Sequence, residues 1–136
     1  GVENVLSSVL FAVPAVKGVE FGAGFALANM RGSAANDEFF CSGGKIATST
    51  NNNGGINGGI TNGMPIIFRC AVKPTPTIHK EQNTVDFIKN ENVKIAAGGR
   101  HDPCIVHRAR VVIDSITAIA LCDMLAGRFG TDWLGE

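Results

Sequence analysis

Between Pro103 and Phe129 the residues Ala109, Val112, Ile113, Ile116, Ile119, Ala120 and Met124 recur at helical spacing, which predicts one long amphipathic helix. Val111, Ala118, Leu121 and Leu125 widen the apolar stripe, so the helix is expected to be central or packed on a partner subunit. Asp102 and Pro103 form a good N-cap and first-turn pair, and Gly127 or Gly130 suits the other end.

The rest reads as α+β. Val5, Leu6, Val9, Leu10 and Val13 give residues 3–13 a helical period, and Pro14 cannot continue it. Residues 15–21 read as a strand with Lys17, Val19 and Phe21 on one face. Residues 22–45 read as a long connection with a helical turn at Ala26–Met30. In PIIFRCAVK, residues 65–73, Ile66, Phe68, Cys70 and Val72 share one face while Ile67, Arg69, Ala71 and Lys73 share the other, the mark of a half-buried strand. Residues 74–99 are polar and read as surface connection, with a short strand at Val93–Ala97. A length of 136 residues suits one domain, residues 1–136, with one core.

Before that strand, NNNGGINGGITNG at residues 51–63 holds five Asn and five Gly and no charge. Two readings stay open: a flexible low-complexity spacer, or a backbone shaped so that something approaches closely, since both residue types tolerate positive φ. It contains neither GxGxxG nor a Walker A sequence.

Two segments carry chemistry. KPTPT, residues 73–77, offers an ammonium, two hydroxyls and the backbone N–H groups of Thr75 and Thr77, a set that suits a phosphate; taken alone it reads rather as a stiff polyproline connector. GGRHDPC, residues 98–104, sets Arg100, His101 and Asp102 together at the start of the long helix, a cation, a proton-transfer group and a carboxylate, although capping alone would account for Asp102. His79 and His107 stand in no recognisable pairing and read as surface residues. From Arg69 to Arg110 eight Lys or Arg face four acids, a local excess suited to an anionic ligand, within a chain of net charge zero that gives nucleic acid or an acidic membrane no global attraction. Cys41, Cys70, Cys104 and Cys122 lie too far apart for zinc spacing and read as free thiols of a reducing cytosol, so no metal and a cytoplasmic location are expected. No run of eighteen apolar residues is present to span a membrane.

Taken in order, VPAVKGVEFGAGF, NNNGGINGGITNGMPIIFR, VKPTPTI and GGRHDPCIVHRA closely resemble the C-terminal part of chorismate synthase. The resemblance implies a β-α-β sandwich of antiparallel sheets around helices, assembled as a homotetramer. It further implies conversion of 5-enolpyruvylshikimate 3-phosphate to chorismate and phosphate by a 1,4-anti elimination that requires reduced FMN without net oxidation, and it associates NADPH with the family.

By the same resemblance Pro14 and Ala15 match a flavin-contacting pair and Gly58 a flavin-contacting glycine. Lys73, Pro74, Thr75, Pro76 and Thr77 match the segment that holds FMN. Arg100 matches an FMN or substrate contact, and Asp102 an acidic residue proposed to manage a proton on the flavin. The Asn/Gly stretch is then expected to lie against the isoalloxazine ring. The family's two catalytic histidines and its substrate-binding arginines belong to an N-terminal portion expected to precede Gly1, and His79, His101 and His107 do not correspond to those histidines. The chain alone is therefore expected to be inactive and to expose apolar surface. The alternatives are a stand-alone flavin- or phosphate-binding module without catalysis, and an oligomerisation element built on the long helix.

Overall fold

The structure is a computed structural model, and residues 1–132 are described. Helix α1 spans Val2–Phe11 and strand β1 Val16–Phe21, followed by a 3₁₀ segment at Gly24–Asn29 and the one-turn helix α2 at Gly32–Ala35. Strands β2 (Phe39–Ser42), β3 (Lys45–Thr48), β4 (Ile56–Asn57), β5 (Ile60–Thr61), β6 (Phe68–Val72), β7 (Gln82–Asp86) and β8 (Glu91–Ile95) lead to the long helix α3, Val106–Phe129. The strands pair antiparallel as β1–β6, β2–β3, β4–β5 and β7–β8.

The core is where α1, α3 and the β1–β6 ribbon meet. Leu6 and Leu10, one turn apart on α1, are fully buried with Ala120 of α3. Each such leucine contributes roughly 1.5–3 kcal/mol by leaving water. Around them pack Val19, Phe21, Ile66, Phe68, Cys70, Ile113, Ile116 and Met124. The alternation of β6 appears as expected: Ile66, Phe68, Cys70 and Val72 are half-buried while Ile67, Arg69, Ala71 and Lys73 are exposed.

Strand β1 departs from simple alternation. Its register with β6 jumps from Val16 opposite Val72 to Gly18 opposite Ala71, leaving Lys17 unpaired in a bulge. Lys17 is exposed, whereas Val19 and Phe21, expected on its face, join the core.

The start of α3 corrects the expected cap. The helix begins at Val106 after Ile105, which has no side-chain cap, and Asp102 lies further upstream. The Asp102 carboxylate, three residues before the N-cap position, accepts instead from Nη1 of Arg108 at 3.0 Å. Gly130, at φ 78°, closes the other end, and Gly127 lies inside the helix. Of the predicted stripe, Ala109 and Ala120 are buried and Ile113, Ile116 and Met124 half-buried, but Val112 and Ile119 are exposed, the latter by 64%, beside Val111 at 65%. The helix is more apolar around its circumference than the described residues cover.

Candidate functional site

The Asn/Gly stretch is an ordered structure in which both residue types have local tasks. Strands β4 and β5 form a hairpin closed by Gly58 and Gly59, both at positive φ (59° and 82°), the signature of a two-residue I′ turn. The first pair, Gly54 and Gly55, is buried against other backbone: a Cβ on Gly54 would lie 2.5 Å from Gly22 N and 2.6 Å from Ile67 O, and one on Gly55 2.5 Å from Pro65 O. The asparagines satisfy backbone polar groups. Asn51 accepts from Gly55 N–H at 2.6 Å and donates to Pro65 O at 2.9 Å, and Asn52 donates to Ala34 O and Ala35 O at 3.3 Å. The close approach that glycine permits at 54 and 55 is thus made by this chain's own backbone. At Gly58 nothing lies within 4 Å of where a Cβ would be.

A residue the sequence did not single out organises this loop. Asp37, 4% exposed, accepts from Thr50 Oγ1 at 2.7 Å, Asn52 N–H at 2.7 Å and Asn53 N–H at 2.8 Å. Burial, the strongest single influence, opposes its ionisation, yet the hydrogen bonds from Thr50, Asn53 and Asn52 together outweigh it and hold the carboxyl below the usual Asp range. Nearby, Arg69 donates to Glu20 at 2.7 Å and to Gly22 O at 2.9 Å. The Arg69 bond, then that from Phe25 N–H, lowers the Glu20 pKa.

Of the sequence-predicted site residues, Pro14, Ala15 and Lys73–Thr77 meet at one end of the β1–β6 ribbon. Lys73 N–H donates to Ala15 O at 2.7 Å, so the pair at Pro14 and Ala15 and the segment Lys73–Thr77 leave the ribbon together. Ala15 sits at φ 70°, a strained conformation for a residue with a Cβ. The chain then makes the β7–β8 excursion, whose pairing runs to Gln82 opposite Ile95 at its base, and this returns residues 97–102 beside the exit of the KPTPT loop. There the His79 and His101 rings meet edge to face, centroids 4.4 Å apart. His79 and His107 are exposed, as expected, but His79 does have a partner; twenty-two residues of sequence hide a contact that the hairpin creates.

Several groups in this cluster have no partner among the described residues. Thr75 Oγ1 is buried without a hydrogen bond, and the N–H groups of Thr75 and Thr77 find no acceptor. Of the eight basic residues from Arg69 to Arg110, Arg69, Lys94, Arg108 and Arg110 are ion-paired, whereas Lys73, Lys80 and Arg100 of the cluster are not. Unpaired cations, an unpartnered hydroxyl and open amides suit an anionic group such as a phosphate. Gly58 stands apart: Val2 N–H donates to Gly59 O at 2.8 Å, which puts the turn at the N-terminal end of α1, and Ala15 follows its C-terminal end. The two ends of that helix are roughly 15 Å apart. Asp102 is held in its ion pair and Arg100 is exposed.

Among the described residues the four cysteines are free, burial raises the Cys70 pKa, and no group of three or more His, Cys, Asp or Glu could hold a metal. No helix among them is long and apolar enough to cross a membrane.

These features define an α+β protein whose antiparallel ribbon backs onto a long helix and delivers an anion-ready loop cluster at one end. Residues 1–126 match the chorismate synthase family, and the chain belongs to it. It is 51% identical over 127 residues to the chorismate synthase of Thermococcus gammatolerans, covering 93% of this chain and 36% of that protein. Over 122 residues it is 52% identical to the chorismate synthase of Korarchaeum cryptofilum, covering 90% and 34%. A solved structure described as the crystal structure of chorismate synthase superposes with a TM-score of 0.71 at 34% identity, covering 95% of this chain and 31% of that one. The chain thus spans about a third of the length of these relatives.

Proposed function

We propose that this chain, residues 1–136 as a single domain, supplies the FMN-holding segments of a chorismate synthase, a cytoplasmic homotetramer converting 5-enolpyruvylshikimate 3-phosphate to chorismate and phosphate. Reduced FMN, when bound, supplies electron density to the substrate as phosphate leaves. The observation that carries the reading is the buried, unpartnered Thr75 hydroxyl beside the unpaired Lys73. Lys73, Thr75 and the open amides of Thr75 and Thr77 hold the cofactor's phosphate, and Pro74 and Pro76 limit the entropy lost when the loop orders. Ala15 fixes Lys73 through its carbonyl, with Pro14 alongside. Gly58 offers bare backbone to the ring system, Arg100 adds a cation, and Asp102, a carboxylate paired with Arg108, serves to receive a proton.

None of His79, His101 and His107 corresponds to the family's catalytic histidines, so the chain by itself binds the cofactor and makes no chorismate. Titration of FMN, oxidised and then reduced under anaerobic conditions, tests this against Lys73→Ala/Thr75→Ala. Loss of charge-assisted bonds should weaken binding about tenfold or more. Unchanged affinity in the double variant overturns the phosphate assignment, and chorismate formation by the chain alone overturns its inactivity.

A further inference from the structure

We infer that His79 is a positioning residue for this cofactor site: its ring, braced against His101, holds the far end of the KPTPT loop in place. The inference rests on the phosphate reading above and adds to it the tether that shapes the loop. Residues 74–78 make no hydrogen bond to any described residue. At one end the loop is anchored by Lys73 N–H on Ala15 O at 2.7 Å. At the other, the first interaction is the His79 ring on His101, at 4.4 Å between centroids and 75° between planes, the edge-to-face arrangement that aromatic rings prefer.

His101 can serve as a brace because it is itself fixed. Its Nε2 lies 3.2 Å from Ala97 O, and since a carbonyl only accepts, that nitrogen carries the proton. Ala97 follows β8, whose pairing with β7 sets its position relative to His79. The chain of support therefore runs from the hairpin through Ala97 and His101 to His79 and the loop. Lys80 and Arg100, both without an ion pair among the described residues, directly follow His79 and precede His101 in the chain, respectively. A loop ordered before binding loses less entropy when it closes on a phosphate, so the ring contact acts on affinity without touching the ligand.

The test uses the purified 136-residue chain with FMN as probe. In the cofactor-free wild type, proton NMR should give a cross-relaxation signal between the His79 and His101 rings. His79→Ala should weaken FMN binding by about three- to tenfold, the worth of an edge contact, and His79→Phe, which keeps an aromatic edge, should restore affinity to within about twofold. Absence of the ring–ring signal overturns the inference. So does an unchanged affinity in His79→Ala, or a failure of His79→Phe to rescue, while Lys73→Ala/Thr75→Ala loses binding. If that double variant keeps full affinity, the phosphate reading itself fails and the tether loses its role with it.

Discussion

Replacing Asp37 by Ala removes the acceptor for three donors at once: the hydroxyl of the exposed Thr50 and the amides of the half-buried Asn52 and Asn53, all at 2.7–2.8 Å. A buried donor left unpaired costs about 1–3 kcal/mol. Thr50 is exposed and Asn52 and Asn53 are half-buried, so water reaches part of the gap and at most the low end of that range applies to each donor; the sum is about 3 kcal/mol. For a chain of this size that is a fall of about 10 °C in Tm. Asp37→Asn keeps the shape but turns an amide donor toward one of the N–H groups and should cost about 2 kcal/mol. The sign with pH follows from a folded-state pKa below the ordinary value of about 3.9. The ionised carboxylate's stabilisation is fully present above that ordinary value and is lost as pH falls through the lower, folded one. Urea denaturation followed by circular dichroism at neutral and acidic pH should therefore show wild type losing an increment below about pH 4 that Asp37→Ala lacks. A variant within about 1 kcal/mol of wild type, or one with the same acid dependence, would refute the anchoring role.

The two glycine pairs separate structural from open positions. Gly54→Ala forces a Cβ within 2.5 Å of Gly22 N at φ 62° and should cost more than about 3 kcal/mol, whereas Gly58→Ala, at φ 59° in open space, should cost only the left-handed strain of about 1–2 kcal/mol. Equal losses in denaturation would contradict the packing described for Gly54. The outward apolar side of α3 predicts self-association by sedimentation velocity, relieved by Val111→Glu/Ile119→Glu with Tm preserved, since both are about two-thirds exposed. Wild type that stays monomeric at every concentration reached would count against it.

What the sequence made legible depended on whether a segment has a buried face. Helix α1, the inner face of β6 and the presence of α3, though not its start, were readable because Leu6, Leu10, Phe68, Cys70, Ile113 and Met124 pack inward and write their period into the chain. The β7–β8 hairpin was missed in all but its last strand because its strands bury nothing, so its polar residues carry no alternation. The β2–β3 hairpin was missed although Gly43 and Gly44, both at positive φ, marked its turn. Asp102 looked like a cap because type and position fitted; only the folded chain brings Arg108 within reach of it. The site's parts could be named from KPTPT and GGRHDPC, but their meeting depends on a hairpin the sequence hid. Asp37 was invisible because its three donors lie thirteen to sixteen residues downstream and no local pattern points to them.

The central claim is that residues 73–77 recognise a phosphate on the flavin. FMN and riboflavin differ only in that group, so titrating both into the chain under identical conditions isolates it. FMN should bind about tenfold tighter or more, with the advantage shrinking as salt is raised. Equal affinity for the two would contradict the claim.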